Sequence, residues 1–146
     1  MPMKKLILGL TMAWMMAALN AAELAWTTDL PAAKQKAAQE KKLVLINFTG
    51  SDWCPWCFKL RDEIFKTPEF AEFSAKNLVL VEIDFPRKKQ QPDDLKKANR
   101  ALQQVYAIRG YPTVIVLDSQ GKKAGQLGYM RGGPKPFIAE LEKLRK

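Results

Sequence analysis

Ser51-Asp52-Trp53-Cys54-Pro55-Trp56-Cys57-Phe58-Lys59-Leu60 decides how this chain is read, because both of its cysteines lie here. A nearly unbroken apolar run, Leu43 to Phe48, precedes the motif and reads as a central strand covered on both faces. A helix-like segment, Phe58 to Lys66, follows it. Thr49-Gly50-Ser51-Asp52 is the turn that carries the strand into that helix. Two cysteines three apart can close a small disulfide ring and reopen it. A helix N-terminus lowers the pKa of the first thiol by stabilising its thiolate. The thiolate is the attacking species in disulfide exchange. Cys54 and Cys57 therefore point to redox chemistry.

Two other uses of the pair stay open at this point. A structural staple is one, but a loop with only two residues inside it constrains the unfolded chain little. A metal site is the other. The chain has no histidine and no further cysteine. Structural zinc normally takes four ligands of those types, so the remaining metal alternative is a copper(I) dithiolate. No resident cofactor or metal is needed for the redox reading, since the cysteines carry the electrons.

The length, 146 residues, leaves room for one domain, and an apolar fraction of 47% is enough for a packed core. The N-terminal residues read differently. Lys4 and Lys5 precede an apolar stretch from Leu6 to Leu19, and Ala21 and Ala22 follow it. That layout is a secretory signal peptide over residues 1–21, with the mature domain over 22–146. The apolar stretch falls short of the about 20 residues a spanning helix needs. An exported, periplasmic protein is expected, with an uncleaved anchor as the alternative. The net charge of +9 falls to +7 without the signal. Its basic residues, among them Arg87-Lys88-Lys89, are interspersed with acids and read as solvated surface. No nucleic-acid-binding motif is present. Attraction to acidic partner proteins or anionic membranes is the milder consequence of the charge.

Along the chain, Leu24-Ala25-Trp26 reads as a short first strand and Pro31 to Glu40 as a helix on Ala32, Ala33, Ala37 and Ala38. Thr67-Pro68-Glu69 caps a further helix whose Phe70 and Phe73 face the core. Leu78 to Phe85 is a second long strand. Pro92 opens a helix to Tyr106, with Leu95, Ala98, Leu102 and Val105 as its apolar stripe. Thr113 to Leu117 is a strand, and a weaker Gly-containing one runs from the Asp118–Gly121 turn to Tyr129. Phe137, Ile138, Leu141 and Leu144 form one face of a terminal helix. This order predicts an α/β protein with a central mixed sheet flanked by helices on both faces.

The chain resembles the thioredoxin superfamily over about residues 24–146. The resemblance rests on the strand before Trp53-Cys54-Pro55-Trp56-Cys57, on Gly110-Tyr111-Pro112-Thr113 with a strand directly after it, and on the terminal amphipathic helix after a hairpin. The segment Phe48 to Cys54 is most similar to exported bacterial thioredoxin-like proteins and to the C-terminal domain of the membrane thiol:disulfide interchange reductant. The resemblance implies a thioredoxin fold and a cis Pro112 packed beside the dithiol. It also implies a thiol–disulfide oxidoreductase acting on protein thiols and disulfides, with Cys54 the attacking, more exposed thiol and Cys57 the resolving one. A reductant needs a partner to recharge it, such as a membrane electron donor.

The family commonly places a buried aspartate on the strand before the motif, where this chain has Asn47. Asparagine cannot take a proton from Cys57. Water, Glu82 or Asp84 is then expected to serve as the relay, or Asn47 simply satisfies backbone groups. Pro55 suits a first helical turn because its missing N–H would be unpaired there anyway. Trp53 is expected to shield the dithiol, and Trp56 to be exposed. Tyr111 is expected to contact substrate or cover the cysteines. Lys59 and Arg61 are expected to point outward, which favours a reductant over an oxidant.

Overall fold

A computed structural model describes residues 24–145. The signal-peptide segment and its cleavage region lie outside the described residues. Five strands form one sheet: β1 (Trp26–Thr27), β2 (Leu43–Thr49), β3 (Leu78–Asp84), β4 (Thr113–Leu117) and β5 (Lys123–Leu127). Their spatial order is β1-β3-β2-β4-β5. The β1, β3 and β2 strands run parallel, while β4 and β5 are antiparallel to their neighbours. The parallel pairs need helical crossovers, whereas a short turn joins β4 to β5. All seven β2 residues are buried, as a strand covered on both faces requires.

Alternation along the strands sorts the core into two layers. Leu43, Leu45, Leu78, Leu80, Val114 and Val116 face one side, where they meet Leu60, Ile64, Phe65, Phe70, Phe137 and Leu141. Val44, Ile46, Phe48, Val79, Val81 and Ile83 face the other, against Leu30, Ala33 and Ala37. Burying each such large side chain stabilises the fold by about 1.5–3 kcal/mol.

The first layer is covered by three helical segments. They are α2 (Pro55–Leu60), which widens into a π-helical turn over Arg61–Phe65, α3 (Pro68–Asn77) and α5 (Pro134–Leu144). The helix read from Phe58 therefore begins three residues earlier, at Pro55. Thr67 caps α3 by accepting from Phe70 N–H, with Pro68 in the first turn. The second layer lies under α1 (Leu30–Glu40) and α4 (Asp93–Val105). Asp29 caps α1 by accepting from Ala32 N–H, and Lys41 ends it in the left-handed region at φ 55°.

One expected face is corrected. Val105 is 72% exposed and Ala98 is exposed too, while Asn99 is the buried residue of α4. The helix is rotated so that the Asn99 amide donates to the Asp84 carbonyl at 3.0 Å. The Asp84 carbonyl also accepts from the Gln91 amide at 3.1 Å, so the end of this buried strand is paired from two sides. Among the described residues, no helix is long and apolar enough to cross a membrane.

Candidate active site

Cys54 is the N-cap of α2. Its backbone is extended, at φ −93° and ψ 109°, and its Sγ accepts from Cys57 N–H at 3.2 Å. Pro55 fills the first helical position, where no donor is required. One turn further, Cys57 falls on the buried side of the helix with Leu60. The two cysteines form a disulfide, with Cα atoms 5.2 Å apart. In this oxidised form Cys54 is 3% exposed and Cys57 5%. The two cysteines are thus about equally buried in the disulfide. Gly50 N–H donates to Cys57 Sγ at 3.5 Å. A Cβ at Gly50 would enter the Trp53 indole ring, so only glycine lets the turn pack this closely.

Two aromatic groups flank the disulfide. The Trp53 Nε1–H donates to the Phe85 carbonyl at 2.7 Å, and its ring meets Tyr111 edge-on at 5.8 Å. Phe85 in turn lies 5.2 Å from Tyr111. Tyr111 precedes Pro112 through a cis peptide bond, and its hydroxyl accepts from Gln103 at 2.8 Å. On the other flank Trp56 is 48% exposed and rests 5.3 Å from Tyr129, whose hydroxyl bonds to Glu63. Each tryptophan carries a cation. The Arg87 guanidinium lies 3.7 Å from the centre of Trp53, and Lys59 Nζ lies 4.8 Å from that of Trp56.

Beneath the dithiol, strand alternation aims Asn47, Glu82 and Asp84 at the α2 side of the sheet. Asn47 and Glu82 are direct neighbours in the β2–β3 register. These three side chains have different surroundings. Asp84 is buried and committed: it accepts from Ser51 N–H at 2.9 Å and Ser51 Oγ–H at 2.5 Å, and pairs with Lys89 at 3.1 Å. Asn47 and Glu82 instead line a cavity of about 570 Å³ together with Cys57. Leu24, Trp26, Phe58 and Phe65 supply its apolar walls, and Arg61 and Lys66 are also part of its lining. Asn47 Oδ1 is buried with no hydrogen-bond partner among the described residues. Burial raises the Glu82 carboxyl above the usual glutamate range, the Asp84 carboxylate adds to this, and Lys89 opposes it.

One carboxylate was missed in the sequence. Asp52 accepts from the backbone N–H groups of Arg87, Lys88 and Lys89, at 2.9, 2.9 and 2.8 Å. These bonds pull its pKa below the usual aspartate range. They pin the loop after β3 beside the motif, and with it Arg87. The Arg87-Lys88-Lys89 run looked like solvated surface because charge patterning alone does not reveal a backbone clamp. Arg61 is exposed and bound by Asp62 through bonds of 2.7 and 3.0 Å. Among the described residues, no group of three or more Cys, Asp or Glu side chains is placed to hold a metal ion.

Residues 30–145 match the thioredoxin-like domain family. The chain belongs to that family. It is a thiol–disulfide oxidoreductase, and its Cys54 and Cys57 form a disulfide. It is 34% identical over 126 residues to the disulfide bond reductase DsbH of Chlamydia pneumoniae, covering 86% of this chain and 75% of that one. A solved structure of a DsbH oxidoreductase superposes with a TM-score of 0.79 at 33% identity, covering 85% of each chain. The oxidised C-terminal domain of DsbD from Neisseria meningitidis shares the fold at 23% identity, with a TM-score of 0.60, covering 82% of this chain and 98% of that one.

Proposed function

We propose that this protein is a reductant of protein disulfides outside the cytosol. The observation that carries this reading is the Cys54–Cys57 pair at the start of α2, with Cys57 lining the same cavity as Glu82. In the reduced protein the Cys54 thiolate attacks one sulfur of a substrate disulfide. The substrate S–S bond breaks, a mixed disulfide forms, and the substrate's leaving sulfur takes a proton. Cys57 then loses its proton and attacks Cys54. The second substrate sulfur leaves and is protonated, and the Cys54–Cys57 disulfide closes. Two electrons pass to the substrate in all.

Glu82 is the acceptor of the Cys57 proton in this scheme. A carboxyl whose pKa is raised by burial is a better base toward a thiol than an ordinary glutamate. Asp84 is excluded from that role by its bonds to Ser51 and Lys89. Asn47 orients groups in the cavity without titrating. Trp56, Tyr111 and Pro112 form the surface on which an extended substrate segment rests, with Trp53 as its packed backing.

Two features support reduction over oxidation. The relative of 34% identity is named a disulfide bond reductase. The basic side chains after the motif also have partners other than a thiolate, Arg61 in Asp62 and Lys59 in the Trp56 ring. A strong oxidant instead concentrates stabilisation on its thiolate. The basic N-terminus followed by Leu6 to Leu19 supports export. Recharging then falls to a partner on the outer side, a membrane electron donor. Equilibration in glutathione buffers, with free thiols counted anaerobically, tests the direction. A potential of about −270 mV is expected, and one of about −120 mV would make the protein a disulfide donor.

A further inference from the structure

The loop after β3 is fixed more firmly than an exposed basic segment needs to be. Asp52 binds three consecutive N–H groups of it, Lys89 pairs with Asp84, and the Phe85 carbonyl accepts from Trp53. The product of these bonds is one placement: the Arg87 guanidinium lies over the Trp53 indole, on the residue before Cys54. Lys59 takes the matching position on Trp56, at the other side of the cysteine. Both cations are exposed, and neither forms an ion pair among the described residues. By contrast, Arg61 and Lys89 nearby are each matched to an aspartate. A guanidinium already ordered on an aromatic face loses little freedom when it binds a carboxylate, and its fork accepts one in bidentate form.

We infer that Arg87 and Lys59 bracket the attacking cysteine to recognise acidic segments, so that the preferred substrate is a protein disulfide whose cysteine is flanked by aspartate or glutamate. The inference rests on the reductant reading above and adds a substrate class to it. The net charge of the mature chain acts in the same direction at longer range, by speeding encounter with acidic partners.

The test uses the protein as the cell processes it, reduced, and three synthetic peptides. Each holds the same cystine, flanked by glutamate, serine or lysine. The glutamate peptide is expected to be reduced with the highest kcat/KM and the lysine peptide with the lowest. The difference should lie in KM and shrink with added salt. Reversing one bracket charge, Arg87→Glu or Lys59→Glu, is expected to lower kcat/KM for the glutamate peptide by about fivefold and to raise it for the lysine peptide. Arg87→Gln serves where the reversal disturbs the loop, with a smaller loss confined to the glutamate peptide. Lys36→Glu and Lys97→Glu, exposed and remote in sequence from the motif, control for net charge and should leave the ranking unchanged. Equal kcat/KM for all three peptides would overturn the inference while leaving the reductant reading intact. An Arg87→Gln effect of the same size on every peptide, accompanied by a shifted pH profile of Cys54 alkylation, would assign the cation to the thiolate and also overturn it. Failure to reduce any peptide would remove the reductant reading itself, and this inference with it.

Discussion

Glu82 and Asp84 stand two residues apart on one strand and point to the same face, yet they occupy opposite environments. The Asp84 end of the site is closed: its carboxylate, its carbonyl and the carboxylate of Asp52 are all matched to donors, the Ser51 hydroxyl among them. The Glu82 end is open: the carboxyl and the Asn47 amide face a cavity, and Asn47 Oδ1 has no partner. A carboxylate whose oxygens are all taken up by donors serves as scaffold. One that is half-buried without donors titrates higher and stays available to exchange protons. Burial alone would have ranked the two the wrong way round, since Asp84 is the more buried.

The largest expected effect comes from breaking the closed end. Asp84→Ala leaves Ser51 N–H and Oγ–H without their acceptor and Lys89 without its partner. A loss of about 3 kcal/mol of stability is expected in urea unfolding. A loss within the error of the measurement would show that the closed end is not scaffold.

The open end should respond in the opposite sense. The folded protein raises the Glu82 pKa, so folding binds protons there, and stability is lost as pH rises from the unfolded pKa through the folded one. Glu82→Gln removes that cost. It is expected to raise the thermal midpoint at pH 7 and to leave it unchanged below about pH 4, where the unfolded glutamate is also protonated. The same variant should resolve mixed disulfides about tenfold more slowly, as loss of a proton acceptor implies. A variant that is more stable and equally fast would break the contrast between the two carboxylates.

The smallest effect is expected at the clamp. Asp52 has a lowered pKa, so its contribution is present above the unfolded pKa and is lost as pH falls through the folded one. Asp52→Ala should speed amide hydrogen exchange at Arg87, Lys88 and Lys89 at neutral pH. The wild-type protein should show the same acceleration only under acid conditions. Unchanged exchange rates would mean that something other than Asp52 positions the loop.

Much of the fold was legible because its signals are local. The buried run of β2, the Thr67-Pro68 cap and the Phe137–Leu144 stripe each follow from residue type and spacing. The stripe of α4 held at Leu102, which packs on the core, and failed at Ala98 and Val105, because Asn99 answers to a carbonyl on β3 and no helical period encodes a demand made by another strand. The dithiol was also readable, and alternation already put Asn47, Glu82 and Asp84 on one side of the sheet. What separates Glu82 from Asp84 was not, since alternation gives both the same face and only Ser51 and Lys89 tell them apart. Asp52 and Arg87 were hidden for a related reason. Their partners are main-chain N–H groups and a ring face, which leave no complementary side chain to find in the sequence.

The chemistry of the clamp also bears on how such a site can change over generations. Asp52 grips three peptide N–H groups rather than side chains. Any residue except proline supplies that donor. Positions 87 and 88 can therefore drift through many side chains while the loop stays where it is, and the turn before α2 never registers the change. A chain built this way can revise which proteins it addresses without revisiting how it folds or how it exchanges electrons.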